Sequence, residues 1–301
     1  MSIRHRPPSP PENASGPGTG LVMSVRESTK SMSLKEIIDA SPSIEPIDKY
    51  LWGYMYGLAR EYMIPYLESK GVPIRGASVI EIGCAEGGNL CAMAEHGAVE
   101  LVGTDIAEER LESAANIAAT LGLSIDYGSH DIINEAPQGE WRGRFDVAFL
   151  RDVIEHLDDA TIALRNIRQV LKPGGALYVT FPPYYSAFGG HQHLLGNWAG
   201  RIPFMHLLPT PVFRRMVAGS TIDRNKVEVE RLHRIRMTTN KLSRAARAAG
   251  FTIADEKLYF IRPVFKMKFG LRPIGADIIK PIPGLRDLLA LEAGYILKNN
   301  S

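Results

Sequence analysis

The chain has 301 residues, 45% of them apolar and 23% charged, which are ordinary globular values; its formal net charge of +2 argues neither for nor against a nucleic-acid partner. Its two cysteines, Cys84 and Cys91, exclude a disulfide framework and form no metal-binding spacing, so a reducing compartment fits. No run of 18 apolar residues and no apolar stretch of signal-peptide length occurs, so no membrane span is expected and the cytoplasm is the expected location.

Residues 1–31 are rich in Pro, Gly and Ser and are expected to be a disordered tail. An aromatic-rich helix is expected from Lys49 to Lys70, bent or split near Pro65 and ended by Gly71. Strand one spans Ser78–Ile82, and a helix over Asn89–His96 stops at Gly97, a favoured C-terminal glycine. Glu100–Asp105 reads as strand two and ends in an acid. Ala107–Leu121 carries Leu111, Ala114, Ala118 and Leu121 at helical spacing, closed by Gly122.

Leu123–Tyr127 reads as a short third strand, followed by a loop with Ser129-His-Asp131. Phe145–Leu150 is a buried fourth strand, Asp159–Leu171 a helix with Ile162, Ile167, Val170 and Leu171 inward, and Ala176–Phe181 a fifth strand after Lys172-Pro-Gly-Gly175. The alternation of strands and helices predicts an α/β fold with a doubly wound, mostly parallel sheet. It breaks from Tyr184 to Met237, a stretch of aromatics, prolines and histidines too long for an ordinary connection. It resumes with a helix over Thr239–Ala249, a strand near Phe251–Phe260 and a last strand near Gly294–Lys298.

The segment Ser78-Val-Ile-Glu-Ile-Gly-Cys-Ala-Glu-Gly-Gly-Asn-Leu90 carries the most chemistry. A β-branched run ends in an acid and a glycine, and a glycine-rich turn then opens a helix. Backbone N–H groups and a helix N-terminus are thereby left facing a nucleotide-like ligand. Gly83-Cys-Ala-Glu-Gly-Gly88 also fits a degenerate nicotinamide-binding turn, but Glu81 before it and Asp131 downstream disfavour that reading. Asp105 ends strand two, where a carboxylate can accept both hydroxyls of a ribose.

Taken with Phe145-Asp-Val-Ala-Phe-Leu-Arg-Asp-Val-Ile-Glu-His-Leu157 and Lys172-Pro-Gly-Gly-Ala-Leu-Tyr-Val179, the chain resembles the class I S-adenosylmethionine (SAM) dependent methyltransferases. The resemblance is close over Val79–Phe181. It implies a seven-stranded Rossmann-like sheet over residues 76–301, an N-terminal helical lid over 32–75 and a substrate-binding insertion at 184–237. It also implies that Glu81 orients the turn toward the amino-acid end of SAM and that Gly83, Cys84, Ala85 and Gly87 let the backbone approach it. Asp105 would hold the ribose, Ile106 would pack on adenine, and Asp131 and Ile132 would flank the base. Arg151 would line the pocket below the sulfonium.

In a doubly wound sheet the ligand sits beyond the carboxyl ends of the strands, so the loops after strands four and five face the methyl group. His191 and His193, after the glycines at 189 and 190, are the candidate proton acceptors, with Asp152 as a further catalytic candidate. Pro182-Pro-Tyr184 does not match the amino-methylating motif, which needs Asn or Asp before the prolines and a place after strand four. His191-x-His193 would need donors such as Asp152, His156 or His206 to hold a metal, and none is expected. Glu155-His156 reads as capping or packing of the following helix.

Arg201, Arg214, Arg215, Arg224, Arg231, Arg234 and Arg236, with Lys226, outnumber Asp223, Glu228 and Glu230 in the insertion. Such clusters suit an anionic substrate, although a solvated basic face has the same composition. Tyr50, Trp52, Tyr54 and Tyr56 fit a lid over the pocket or a buried packing face. The expected function is SAM-dependent methylation of a small-molecule acceptor at a hydroxyl oxygen, on a saccharide, nucleotide-sugar or secondary-metabolite intermediate. The alternatives are a quinone or lipid acceptor touching a membrane surface through Phe260–Leu271, a macromolecular acceptor (RNA or protein), and a SAM-binding scaffold without turnover. No nucleic-acid partner is expected.

Overall fold

The computed structural model describes residues 32–300, so the expected disordered tail lies outside the described residues. Three short helical pieces come first: α1 (Leu34–Ala40), α2 (Pro46–Leu58) and α3 (Ile64–Ser69). Ser33 caps α1 with a reciprocal Glu36 contact, and Pro46 opens α2 where its missing N–H costs nothing. A five-residue π-helical segment, Ala59–Met63, joins α2 to α3 immediately before Pro65. Pro65 cannot donate the next ladder bond, so the helix widens there instead of breaking.

The strands and helices then alternate: β1 (Ser78–Ile82), α4 (Gly88–His96), β2 (Glu100–Asp105), α5 (Glu108–Thr120), β3 (Asp126–Ser129), β4 (Phe145–Arg151), α6 (Ala160–Val170) and β5 (Leu171–Phe181). After them come α7 (Thr210–Ala218), α8 (Asp223–Ile235), α9 (Thr239–Ala248), β6 (Thr252–Ile261), α10 (Val264–Phe269), β7 (Ile274–Gly275), α11 (Pro283–Leu289) and β8 (Glu292–Lys298). The sheet order is β3-β2-β1-β4-β5-β8-β6-β7. The first five strands are parallel to their neighbours, and β8, β6 and β7 pair antiparallel.

Alternate residues of the central strands feed two cores. Val79, Val147 and Phe149 pack with Leu90 and Met93 of α4 and Ile117 of α5. Ile80, Leu150 and Val179 pack on the opposite side with Leu164 and Ile167 of α6 and Leu242 of α9. Chain order reverses between β1 and β4, and at such a reversal a crevice opens beyond the strand ends.

The sheet has eight strands instead of the expected seven. The extra one, β7, is two residues pairing with the edge of β6, too short to leave a periodic signal. Strand three begins at Asp126 instead of Leu123, because Leu123 and Ile125 pack against the core as the chain leaves α5. On α6, Ile162 faces solvent at 38% exposure, while Ala163 and Leu164 turn inward with Ile167 and Val170. The segment between β5 and α9 contains α7 and α8, which the sequence reading did not resolve. They close over a small core of their own in which Phe213, Met216 and Val217 meet Val229 and Leu195.

Candidate active site

Two pockets adjoin at the C-terminal ends of the parallel strands. The first is a cleft of about 500 Å³ walled by the loops after β1, β2, β3 and β4, with Tyr54 and Met55 of α2. The turn after β1 holds Gly83, Ala85 and Gly87 at positive φ (73°, 49° and 74°). A side chain on Gly87 would collide with the Tyr127 hydroxyl, so the turn needs glycine there for space as well as for dihedral. Cys84 contributes only backbone, since its side chain is buried in the core. Asp105 fixes the turn to β2: one carboxylate oxygen accepts from the Ala85 N–H and the other from the Ala107 N–H, each at 3.0 Å. Ile106 beside it is 71% exposed to the cleft and solvent.

Glu81 stands behind this turn, buried, accepting from Asn89 Nδ2 at 2.6 Å. Burial pushes its carboxyl up to about 7, against the pull of Asn89 and Arg151. Its Oε2 and the Asn89 Oδ1 are buried without partners, and Asn89 lines the cleft. A cationic amine such as the one on the methionyl end of SAM fits those two acceptors. Asp131 is on the opposite wall, where it accepts from the N–H groups of Ile133 (2.9 Å) and Asn134 (3.1 Å) and from Asn134 Nδ2. It therefore builds the loop that presents Ile132, and those bonds hold its carboxyl below the ordinary range.

Tyr54, Arg151 and Asp152 line both the cleft and a second pocket of about 670 Å³. The walls of this second pocket are largely apolar, with Pro182, Phe188, Val264, Phe265, Phe269 and Leu291 among them. Its polar groups are Ser186, His191, His193, Arg262 and Lys268 besides the shared Arg151 and Asp152. Asp152, at φ 54°, is bound by Arg151 at 2.9 Å and by Arg262 at 2.7 Å. Burial alone would raise its carboxyl; the two guanidiniums outweigh that and hold it down at about 2. Arg262 also donates to Glu292 at 2.9 Å, so its charge is shared between two carboxylates.

His191, at φ 51°, lines the second pocket, its ring 5.2 Å from that of His156, which lines the cleft. Its imidazole is kept neutral: burial first, then the neighbouring His156 and His193, push its pKa well below the usual value. His193 points into the same pocket and is lowered by burial and by Lys268. The preceding glycines matter through close approach. A side chain on Gly190 would meet the His206 ring at 2.5 Å, and one on Gly189 would strike the Pro183 carbonyl.

Behind His191 lies a buried acid. Glu155 Oε1 is 4.0 Å from His191 Nε2 and 3.7 Å from His156 Nε2, and both of its oxygens lack hydrogen-bond partners. Burial raises the Glu155 carboxyl to about 7, partly offset by His156. His156 is in turn hydrogen-bonded through Nδ1 to Glu228 of α8. The ligand atoms of Glu155, His156 and His191 lie within 4.8 Å of one another, a spacing that can hold a metal ion. His193 and His206 are not in that group; His206 Nε2 is bonded to the Tyr184 carbonyl instead.

A family model described as a methyltransferase domain matches residues 52–256. The chain belongs to the methyltransferase domain family. Among curated proteins, the chain is 37% identical over 108 residues to a ubiquinone biosynthesis O-methyltransferase of Chelativorans sp., a match covering 36% of this chain and 41% of that protein. A Coxiella burnetii protein of the same name is 28% identical over 154 residues, covering 46% of this chain and 64% of that one. The chain thus spans less than two thirds of the length of these relatives. A putative sarcosine dimethylglycine methyltransferase from Galdieria sulphuraria shares the fold, with a TM-score of 0.53 and 14% identity, over 80% of this chain and 85% of that one.

In this chain the residues expected to hold the cofactor come together at one cleft or directly behind it; Asp131 lines the cleft while bonding its own loop, and the Cys84 side chain is buried in the core. Of the aromatics on α2, Tyr54 reaches both pockets and Tyr50 the second, while Trp52 and Tyr56 stack on each other in the core. Arg231 borders the cofactor cleft, and none of the insertion's arginines lines the second pocket. Sequence reasoning named His156 only as a conceivable metal donor and did not place Glu155 or Glu228 in the site; Arg262 and Lys268 fell within Phe260–Leu271, which was considered only as a surface for a quinone or lipid acceptor and not for those two side chains. The helix that Glu155-His156 was expected to cap is capped by Asp159, which accepts from the N–H groups of Thr161 and Ile162. No helix among the described residues is long and apolar enough to cross a membrane.

Proposed function

We propose that this methyltransferase moves the methyl group of SAM to a hydroxyl oxygen of a small aromatic or otherwise apolar acceptor, with His191 as general base. The observation that carries this reading is the apolar second pocket joined to the first cleft through Tyr54, Arg151 and Asp152, with the neutral imidazole of His191 in its wall. Apolar walls favour an aromatic acceptor over the saccharide or nucleotide-sugar that the arginine-rich insertion had suggested. The name of the curated relatives, ubiquinone biosynthesis O-methyltransferase, points the same way.

When bound, the cofactor supplies a methyl group on a positively charged sulfur, which departs as a neutral thioether. Asp105 would hold the ribose, and Glu81 with Asn89 would receive the amino group. Tyr54 of the helical lid (32–75) separates the reacting centre from solvent, and the insertion (184–237) delivers the histidines. His191 takes the hydroxyl proton as the oxygen attacks. Glu155 behind it, once ionised, stabilises the resulting imidazolium. Asp152 is held ionised at too low a pKa to compete for that proton and acts by fixing Arg151 and Arg262. Alignment of the two reactants in adjoining pockets supplies the larger share of the rate, up to about 7–11 kcal/mol.

A second reading follows from the two unpartnered oxygens of Glu155: a divalent ion on Glu155, His156 and His191 would activate the hydroxyl in place of a free imidazole. One assay tests both. Label from methyl-labelled SAM is followed into hydroxylated aromatics, nucleotide-sugars, RNA and protein, with and without a chelator. Chelator-resistant label in the aromatics alone supports the first reading, and label in sugars, RNA or protein overturns it. Activity abolished by the chelator and restored by a divalent metal selects the second.

A further inference from the structure

Lys268 lies in the last turn of α10, half-buried on the wall of the second pocket. Its ammonium sits 4.0 Å from the centroid of the Tyr54 ring and forms no ion pair or hydrogen bond among the described residues. The neighbouring cation on the same helix is matched: Lys266, two positions away, pairs with Glu61 at 2.6 Å. Arg262 is taken by Asp152 and Glu292. Among the described residues Asp152 is the one acid on the pocket wall, and it already serves two guanidiniums.

A half-desolvated cation without a counter-ion is unfavourable unless a ligand completes it. Consistent with this, burial and then the charges of Arg262 and Arg151 push the Lys268 ammonium down from its ordinary pKa, outweighing the pull of Asp152. Resting on the acceptor reading above, we propose that Lys268 is the anion-binding residue of the acceptor pocket and selects an acceptor whose aromatic or apolar body carries a carboxylate. A single free ammonium among apolar walls suits a monoanion. A phosphate would call for the several donors or the Arg fork found at phosphate sites; here Arg262 is taken by Asp152 and Glu292, and Arg151 is bonded to Asp152 through Nη1, with its buried Nε unpartnered. The acceptor would then span the pocket with its carboxylate on Lys268 and its hydroxyl at His191. The arginine-rich insertion, which contributes no arginine to this wall, takes no part in recognising the acid.

The test is binding, kept separate from turnover. 3,4-Dihydroxybenzoate and its methyl ester are titrated calorimetrically into the protein saturated with S-adenosylhomocysteine. Wild type is expected to prefer the acid by at least about 10-fold, Lys268→Gln to bind acid and ester alike, and Lys268→Arg to keep most of the preference. Thermal unfolding of each variant confirms that it folds, and Lys268→Arg with wild type still decides the matter if Lys268→Gln does not. An ester bound as tightly as the acid by wild type, an undiminished preference in Lys268→Gln, or no binding of either compound would overturn the proposal. A preserved preference without any methyl transfer would strike the proposed chemistry and leave this site standing.

Discussion

Arg262 Nη2 lies 2.7 Å from both carboxylate oxygens of Asp152, 110 residues earlier in the chain. The contact ties the end of β6 on the antiparallel side of the sheet to the loop after β4, at the seam between the two pockets. Both side chains are largely buried, so the pair couples folding to the shape of the site.

Arg262→Gln leaves Asp152 with Arg151 alone and Glu292 without its partner. Removing one member of a buried pair costs about 3–5 kcal/mol, and the lower end is expected here because Arg151 remains. Asp152 titrates near 2 in the folded chain and near 4 when unfolded. Its stabilisation is therefore present above about pH 4 and is lost as pH falls toward 2. Urea unfolding should show a wild-type advantage of about 3 kcal/mol at pH 7 that narrows below pH 4; a constant gap would contradict the assignment.

Glu155 behaves oppositely. Its carboxyl is raised to about 7, so the folded chain holds a proton that the unfolded chain releases near pH 4.3. Stability contributed by this group falls as pH rises from about 4.3 to 7 and levels off above. Glu155→Gln should match wild type in thermal unfolding at pH 4.5 and exceed it at pH 8 by an amount on the order of 2 kcal/mol. The same variant should lose turnover at pH 8, since it cannot stabilise a protonated His191. Unchanged kcat would remove Glu155 from the mechanism.

Asp105→Ala deletes the acceptor for the Ala85 and Ala107 N–H groups and the proposed ribose contact together. Charge-assisted hydrogen bonds are worth about 1.5–3 kcal/mol, so S-adenosylhomocysteine affinity should fall by roughly 10- to 100-fold in calorimetry. Affinity within about twofold of wild type would show that Asp105 only shapes the turn.

Gly88→Ala tests how α2 sits on the cofactor turn. Alanine ordinarily favours a helix, but here its Cβ would lie 2.5 Å from the Trp52 carbonyl oxygen and 2.8 Å from the Met55 Cβ. Overpacking of this kind costs about 1–3 kcal/mol, outweighing the propensity gain of about 1 kcal/mol. A lowered melting temperature with weakened cofactor binding is expected, and a stabilised variant would show that α2 moves freely.

The central strands were legible because Val79, Ile80, Val147 and Leu150 are buried on both faces of the sheet and leave dense apolar runs closed by glycine or an acid. The residues expected to hold the cofactor could be singled out for a related reason: they follow strand ends at short range. The acceptor side was not. Arg262 and Lys268 come from the segment after β6, and only tertiary pairing across β8 and β6 brings them to Asp152 and Tyr54. Glu155 and His156 looked like helix-capping residues because nothing local shows that Glu228 and His191 fold against them. The arginines drew attention by number, yet charge density in sequence does not tell which face a helix presents.

The most direct measurement is single-turnover transfer of labelled methyl from SAM to 3,4-dihydroxybenzoate, comparing wild type with His191→Ala while S-adenosylhomocysteine affinity is followed in parallel. The account predicts a rate lowered by roughly 10²–10⁴-fold with cofactor affinity unchanged, and a smaller loss for His193→Ala, which has no acid behind it. Equal rates in wild type and His191→Ala, or no label transferred by wild type, would contradict it.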